Sequence, residues 1–226
     1  MKGLFVTGTG TDIGKTYVSA AIAKALTDKA LNLAYYKAAV SGSASIEKSD
    51  AGFVKESASI KQDTDRLLSY LYERPLSPHL AARLEKRFAS LDKITTDFRS
   101  LDHDYDYVLS EGAGGIICPV VYEKDVKIMY LDILKALKLP AVIVADAGLG
   151  TINHTILTLS YLRANNVDVK GVILNNFDKD SIMHNDNLFM VEDIGRIKVI
   201  ATLAHGKRDL ELLDKNMEEY FDDITF

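Results

Sequence analysis

Tryptophan is absent from the 226 residues, cysteine occurs once, at Cys118, and proline only four times. A single cysteine excludes an intramolecular disulfide framework and a multi-cysteine zinc site, and it suits a reducing compartment. No proline- or glycine-rich linker, repeat or low-complexity tract interrupts the chain, so residues 1–226 read as one domain. Excess positive charge is also missing: 27 Lys and Arg stand against 32 Asp and Glu, a formal net charge of -5. That balance excludes a general nucleic-acid binder, whose affinity comes from a basic face neutralising phosphates. Long apolar runs are lacking too. Ala141-Val142-Ile143-Val144-Ala145 stops at Asp146, which is strand length and far below the ~20 residues of a membrane helix. The apolar stretch at 3–6 starts almost at Met1 and runs into a glycine-rich loop, leaving no room for a signal peptide. The expectation is a soluble, cytoplasmic protein with neither a membrane nor a nucleic acid as partner.

What is present is an alternation of short apolar runs with longer amphipathic segments. Strands are expected at 4–7, 33–39, 105–110, 141–145, 169–174 and 198–203. Helical patterns occupy 15–27, a helix-rich region 63–101, then 131–137, 152–164 and 182–194, with a terminal packing helix over 210–220. Strands without strict polar alternation, each followed by a helix, are covered on both faces. The fold class is therefore α/β: a doubly wound, mostly parallel sheet flanked by helices, with right-handed crossovers. Ligands of such sheets bind beyond the carboxyl ends of the strands. Unusual polar or glycine residues fall at five of those ends: 8–16, 37–43, 111–115, 146–153 and 175–177.

The first of these, Gly8-Thr9-Gly10-Thr11-Asp12-Ile13-Gly14-Lys15-Thr16, joins a strand to a helix. Glycines let successive backbone N–H groups turn toward an anion, and the helix start adds its dipole. Lys15 would reach the outer phosphates of a nucleotide, and the Thr16 hydroxyl would ligate Mg2+. The spacing is one residue longer than the usual G-x-x-x-x-G-K-[ST] pattern. Partition and division-site ATPases carry an additional lysine in this loop; here that position is Gly10, which weighs against such a module.

Other motifs add charge at the same sheet edge. Lys37 closes an apolar run and precedes Ala38-Ala39-Val40-Ser41-Gly42-Ser43. Glu111 opens Glu111-Gly112-Ala113-Gly114-Gly115, where a carboxylate can hold Mg2+ and glycines allow close approach to phosphate. Asp50 reads on its own as a helix N-cap. Tyr35 and Tyr36 read as sheet-packing aromatics, Cys118-Pro119 as a turn, and His79, before a helix, as structural or close to the site. No histidine pair has metal-ligand spacing.

In this order the motifs resemble the dethiobiotin synthetase family, a P-loop NTPase fold. The resemblance rests on the lengthened loop at 8–16, Tyr36-Lys37, Ser41-Gly42-Ser43, Ser49-Asp50-Ala51, Ser77-Pro78-His79, Glu111 to Gly115, Gly150-Thr151-Ile152-Asn153-His154 and Asn175-Asn176. It implies ring closure of 7,8-diaminononanoate with CO2 or bicarbonate, driven by ATP with Mg2+. One amine captures CO2 as a carbamate, ATP converts it to a carbamic-phosphoric anhydride, and the second amine displaces phosphate. Carried over by position, Lys37 and Lys15 are the catalytic residues, and Thr16, Asp50 and Glu111 are the metal ligands. Asp12, Ile13, Gly14, Lys15, Thr16, Tyr17, Asp50, Glu111, Gly112, Ala113, Gly114, Asn175 and Asn176 bind nucleotide, with Asn175 at the adenine edge. Thr11, Asp12 and Ser41 lie near the diamine and carbamate. Gly150, Thr151, Ile152 and Asn153 receive the substrate carboxylate of a neighbouring subunit, which implies a homodimer.

The chain departs from that pattern in two places. Ala38 stands where relatives have proline, and Ala201-Thr202-Leu203-Ala204-His205-Gly206 replaces a Gly-x-[Ile/Leu]-Pro loop. A loop without proline is less fixed in shape, so weak discrimination among ATP, GTP and CTP is expected. Cobyrinic acid amidotransferases resemble the same fold but carry a glutaminase domain with a cysteine nucleophile, for which this sequence offers no Cys–His pairing. The remaining alternative is a non-catalytic or partition-type nucleotide-binding module.

Overall fold

The computed structural model describes residues 1–225. β1 (Lys2–Gly8) buries every residue but its first and passes through the glycine loop into α1 (Lys15–Thr27). There follow β2 (Leu33–Ser41), α2 (Asp50–Ser57), β3 (Leu68–Tyr72), α3 (Pro78–Glu85), α4 (Leu91–Arg99) and β4 (Tyr107–Glu111). A hairpin of β5 (Pro119–Tyr122) and β6 (Lys127–Met129) precedes α5 (Tyr130–Leu137) and β7 (Ala141–Asp146). The chain continues through α6 (Thr151–Ala164), β8 (Val169–Asn175), α7 (Ile182–Gly195), β9 (Val199–Leu203), β10 (Glu211–Leu212) and β11 (Asp222–Asp223).

Strands run in the order β10-β9-β8-β7-β1-β4-β2-β3, with β11 joined to β1. All the long strands pair in parallel; the short β10 and β11 pair antiparallel with β9 and β1. Each face of the sheet has its own core, as expected for strands covered on both sides. Val18, Ile22 and Leu26 of α1, Ala51 and Val54 of α2 and the C-terminal Met217, Tyr220 and Phe221 fill one. Ile94 and Phe98 of α4, Ile133 and Leu137 of α5, Leu159 and Leu162 of α6 and Val191 of α7 fill the other. No helix among the described residues is long and apolar enough to cross a membrane.

Four expectations need correction. The region 63–101 is not helical throughout: β3 lies inside it, and its burial alternates residue by residue, with Leu68, Tyr70 and Tyr72 inward. Period two wins there because Leu68-Ser69-Tyr70-Leu71-Tyr72 extends the sheet beyond β2. Lys37 is not the end of its strand, because β2 runs on to Ser41 along β3. The terminal helix over 210–220 does not form. Leu212 and Leu213 are exposed, so the segment has no continuous apolar stripe. It makes β10 instead, then a short 3-10 turn at Met217–Tyr220 closed by a reciprocal Asn216–Glu219 cap, then β11. Phe226 lies outside the described residues. Finally, Ser49 rather than Asp50 caps α2, its hydroxyl accepting from the Ala51 and Gly52 N–H groups. Asp50 is thereby left as the first helical residue, with its carboxylate free to turn to the strands.

Candidate nucleotide and metal site

The phosphate loop is shaped by two residues with left-handed backbone, Asp12 (φ 58°) and Gly14 (φ 89°). Alternation of this kind curls N–H groups into a concave anion nest. Only glycine fits the second position: a Cβ on Gly14 would stand 2.0 Å from the Asn175 amide nitrogen. Lys15 lies back along the loop, 7% exposed, its ammonium 2.7 Å from the Gly10 carbonyl. Burial, partly offset by Glu111, holds Lys15 below its ordinary pKa, with the Lys37 charge acting in the same direction as burial.

Sheet register supplies the rest. β4 lies between β1 and β2, and Lys37 stands directly opposite Glu111. The Lys37 ammonium donates to Glu111 Oε1 at 2.7 Å and to Asp50 Oδ2 at 2.6 Å, and the Thr16 hydroxyl donates to Glu111 Oε1 at 2.9 Å. Lys37 is 2% exposed and Glu111 0%, whereas the Asp50 carboxylate is open to solvent. Burial alone would push the Lys37 ammonium down, but the Glu111 and Asp50 carboxylates outweigh it and hold the pKa above the ordinary lysine value. Lys37 therefore stays charged.

These groups line a cleft of about 800 Å³ together with Thr11, Asp12, Tyr17, Ser41, Ala113 and Gly114. Its far wall is the Pro75–Pro78 stretch, to which the Ser41 hydroxyl donates at the Leu76 carbonyl, 2.6 Å away. Thr16, Asp50 and Glu111 offer hard oxygen donors, two of them carboxylates, which is the donor set Mg2+ accepts when phosphates complete its shell. Among the described residues no three His, Cys, Asp or Glu side chains cluster so as to hold a metal ion alone.

Not every expected residue reaches the cleft. Asn175 donates to the Ile13 carbonyl at 3.0 Å, tying β8 to the phosphate loop. Asn176 donates to Asp146 Oδ2 and faces the His205 ring at 3.0 Å. Gly150 caps α6 in the left-handed region, and Thr151, Ile152 and Asn153 form its first turn, outside the cleft lining. His79 follows Pro78 at the start of α3, its Nδ1 buried without a partner. Cys118 lines the cleft beside Gly114, with burial raising its thiol pKa. Tyr36 packs as expected, edge-on to Phe98. Tyr35 does not merely pack: its hydroxyl lies 2.9 Å from Glu111 Oε2. Strand alternation, which puts residue 35 on the same side as residue 37, was the available signal.

A glycine nest, a lysine and a hydroxyl at a helix start, at the carboxyl edge of a doubly wound parallel sheet, define a P-loop nucleotide-binding protein. The family model described as "AAA domain" matches residues 2–208. The ATP-dependent dethiobiotin synthetase of Brachyspira hyodysenteriae is 47% identical over 98% of this chain and 99% of its own length. A Clostridium botulinum protein of the same name is 43% identical over 99% of both. The chain belongs to the ATP-dependent dethiobiotin synthetase family. Among solved structures, the MinD cell division protein of Aquifex aeolicus shares the fold with a TM-score of 0.57 at 16% identity, over 92% of this chain and 84% of that one.

Proposed function

We propose that this chain closes 7,8-diaminononanoate with CO2 to dethiobiotin, consuming ATP with Mg2+, as a cytoplasmic homodimer. The observation that carries the reading is Lys37, a buried ammonium clamped between Asp50 and Glu111 in the cleft that also holds the P-loop Lys15. The near-full-length likeness to named synthetases points to the same reaction.

The phosphate loop and Lys15 bind the triphosphate. Thr11, Asp12 and Ser41 line the same cleft and would face the diamine. The amine nitrogen of the diamine adds to CO2 and loses a proton, giving a carbamate. A carbamate oxygen attacks the γ-phosphorus and the bond to ADP breaks; the second amine then attacks the carbamoyl carbon and phosphate leaves. The difficulty is electrostatic, since carbamate and triphosphate are both anions. Lys37 and Lys15 put fixed positive charge between them, and this charge strengthens its hold as the transferring group spreads charge over its oxygens. Mg2+, held by Thr16, Asp50 and Glu111, neutralises phosphate charge when bound.

The exposed apolar side chains Leu149, at 90%, and Leu157, at 62%, flank the first turns of α6. They support placing Gly150, Thr151, Ile152 and Asn153 against a second copy, where free N–H groups suit a substrate carboxylate. The test is dethiobiotin formation by purified protein with diamine, bicarbonate, Mg2+ and ATP. ADP release that depends on both diamine and bicarbonate is expected. Hydrolysis indifferent to both overturns the reading in favour of a nucleotide-binding module.

A further inference from the structure

Glu111 is a carboxylate with no exposure at all, and such a group needs every oxygen bonded. Its Oε1 takes the Thr16 hydroxyl and the Lys37 ammonium, and its Oε2 takes the Tyr35 hydroxyl at 2.9 Å. The three donors are not equivalent. Thr16 and Lys37 line the cleft, whereas Tyr35, 0% exposed, comes from the sheet interior and does not. On the reading proposed above, Thr16 and Lys37 would also face the bound ligands, Thr16 as a metal ligand and Lys37 as counter-charge. Among the described residues the Tyr35 hydroxyl has no other hydrogen-bond partner.

We infer that Tyr35 is a positioning residue, whose hydroxyl grips the inner oxygen of Glu111 and keeps the outer oxygen aimed at the cleft while Thr16 and Lys37 re-aim. The inference rests on the nucleotide and Mg2+ reading of the cleft. The backbone that carries the ring is itself held from behind. β3 begins opposite Lys37, so the backbone N–H of residue 35 has no strand partner there; it donates to Gln62 Oε1 at 2.7 Å, and Gln62 donates on to the Arg66 carbonyl. Groups that orient metal ligands in this way alter metal affinity or activity by about 10–100-fold when removed.

The decisive comparison is Tyr35→Phe against Tyr36→Phe. Both tyrosines are fully buried on β2, and each substitution removes only a hydroxyl. Tyr36 faces the opposite core and bonds Ser69 Oγ and the Ile94 carbonyl. The readouts are equilibrium binding of a fluorescent ATP analogue as Mg2+ is titrated, and kcat against KM. For Tyr35→Phe, the Mg2+ concentration at half-saturation should rise about tenfold, with Mg2+-free nucleotide binding unchanged. Tyr36→Phe should lower thermal stability comparably and leave the Mg2+ titration alone. Equal Mg2+ titrations for Tyr35→Phe and wild type, or equal shifts in both variants, overturn the inference. Wild-type nucleotide binding indifferent to Mg2+ overturns the site reading beneath it. Should Tyr35→Phe fail to fold, the hydroxyl proton of Tyr35 in the NMR spectrum of the wild type decides. A slowly exchanging, downfield resonance that moves upfield in Glu111→Gln supports the bond, and one indifferent to Glu111→Gln refutes it.

Discussion

Replacing Lys37 with alanine separates binding from chemistry. At an effective dielectric of ~20, an ammonium 2.7 Å from Glu111 has a pair energy of ~6 kcal/mol, most of it offset by the desolvation of two buried charges. Breaking a buried pair typically costs about 3–5 kcal/mol of stability. The low end is expected here, because Glu111 keeps the Thr16 and Tyr35 hydroxyls and Asp50 is open to water. Lys37→Met retains most of the stem and controls for packing. On turnover, loss of one preorganised charge facing the transferring group is worth about 2.7–4 kcal/mol, a fall in kcat of about 10²–10³. Nucleotide binding in the presence of Mg2+ should remain measurable, because the Lys15 loop is untouched and removing the ammonium frees both carboxylates for the metal. The assay is dethiobiotin formation by mass spectrometry, alongside calorimetric titration of nucleotide and a thermal melt. A folded Lys37→Ala protein forming dethiobiotin at near wild-type rate would refute the assigned role.

Three further outcomes are expected. Gly14→Ala, with its new Cβ 2.0 Å from the Asn175 amide and a φ of 89°, should abolish nucleotide binding in a titration while the melt stays within a few degrees of wild type. Lys15, depressed by burial, should lose its charge first as pH rises, below the ordinary 10.5, so triphosphate affinity measured without diamine or Mg2+ should weaken in that range. The stability contributed by Lys37 runs the other way: its raised value keeps it present below 10.5 and loses it only above. An affinity flat up to 10.5 would contradict the Lys15 assignment. Because one Asn175 N–H is already committed to Ile13 and the 201–206 loop lacks proline, kcat/KM for ATP, GTP and CTP should agree within about tenfold, a factor of ten being ~1.4 kcal/mol. A hundredfold ATP preference would show that the base is read by contacts this loop does supply.

The alternation of strands and helices and the phosphate loop were legible because both depend on local signals: apolar runs of strand length, and glycines beside Lys15 and Thr16. Lys37, Asp50 and Glu111 could each be singled out, yet their union could not be read from spacing. It depends on β4 entering between β1 and β2 in the register that puts Lys37 against Glu111. Tyr35 looked like any buried aromatic, since its significance lies in a partner 76 positions away. β3 was hidden by the charged and helical sequence around it, although its alternation was present. The 210–220 segment misled because scattered leucines imitate a helix until tertiary packing chooses Met217, Tyr220 and Phe221 instead.

The interleaving of β4 between β1 and β2 has a consequence for how the enzyme comes into being. The loop and α1 lie together near the start of the chain, but Glu111 is 74 positions beyond Lys37. Loop closure over such a distance must be met before the pairing rewards it. During synthesis the emerging chain therefore carries a phosphate-gripping turn long before its ammonium and inner carboxylate can meet, and that meeting waits until the fourth long strand slots home.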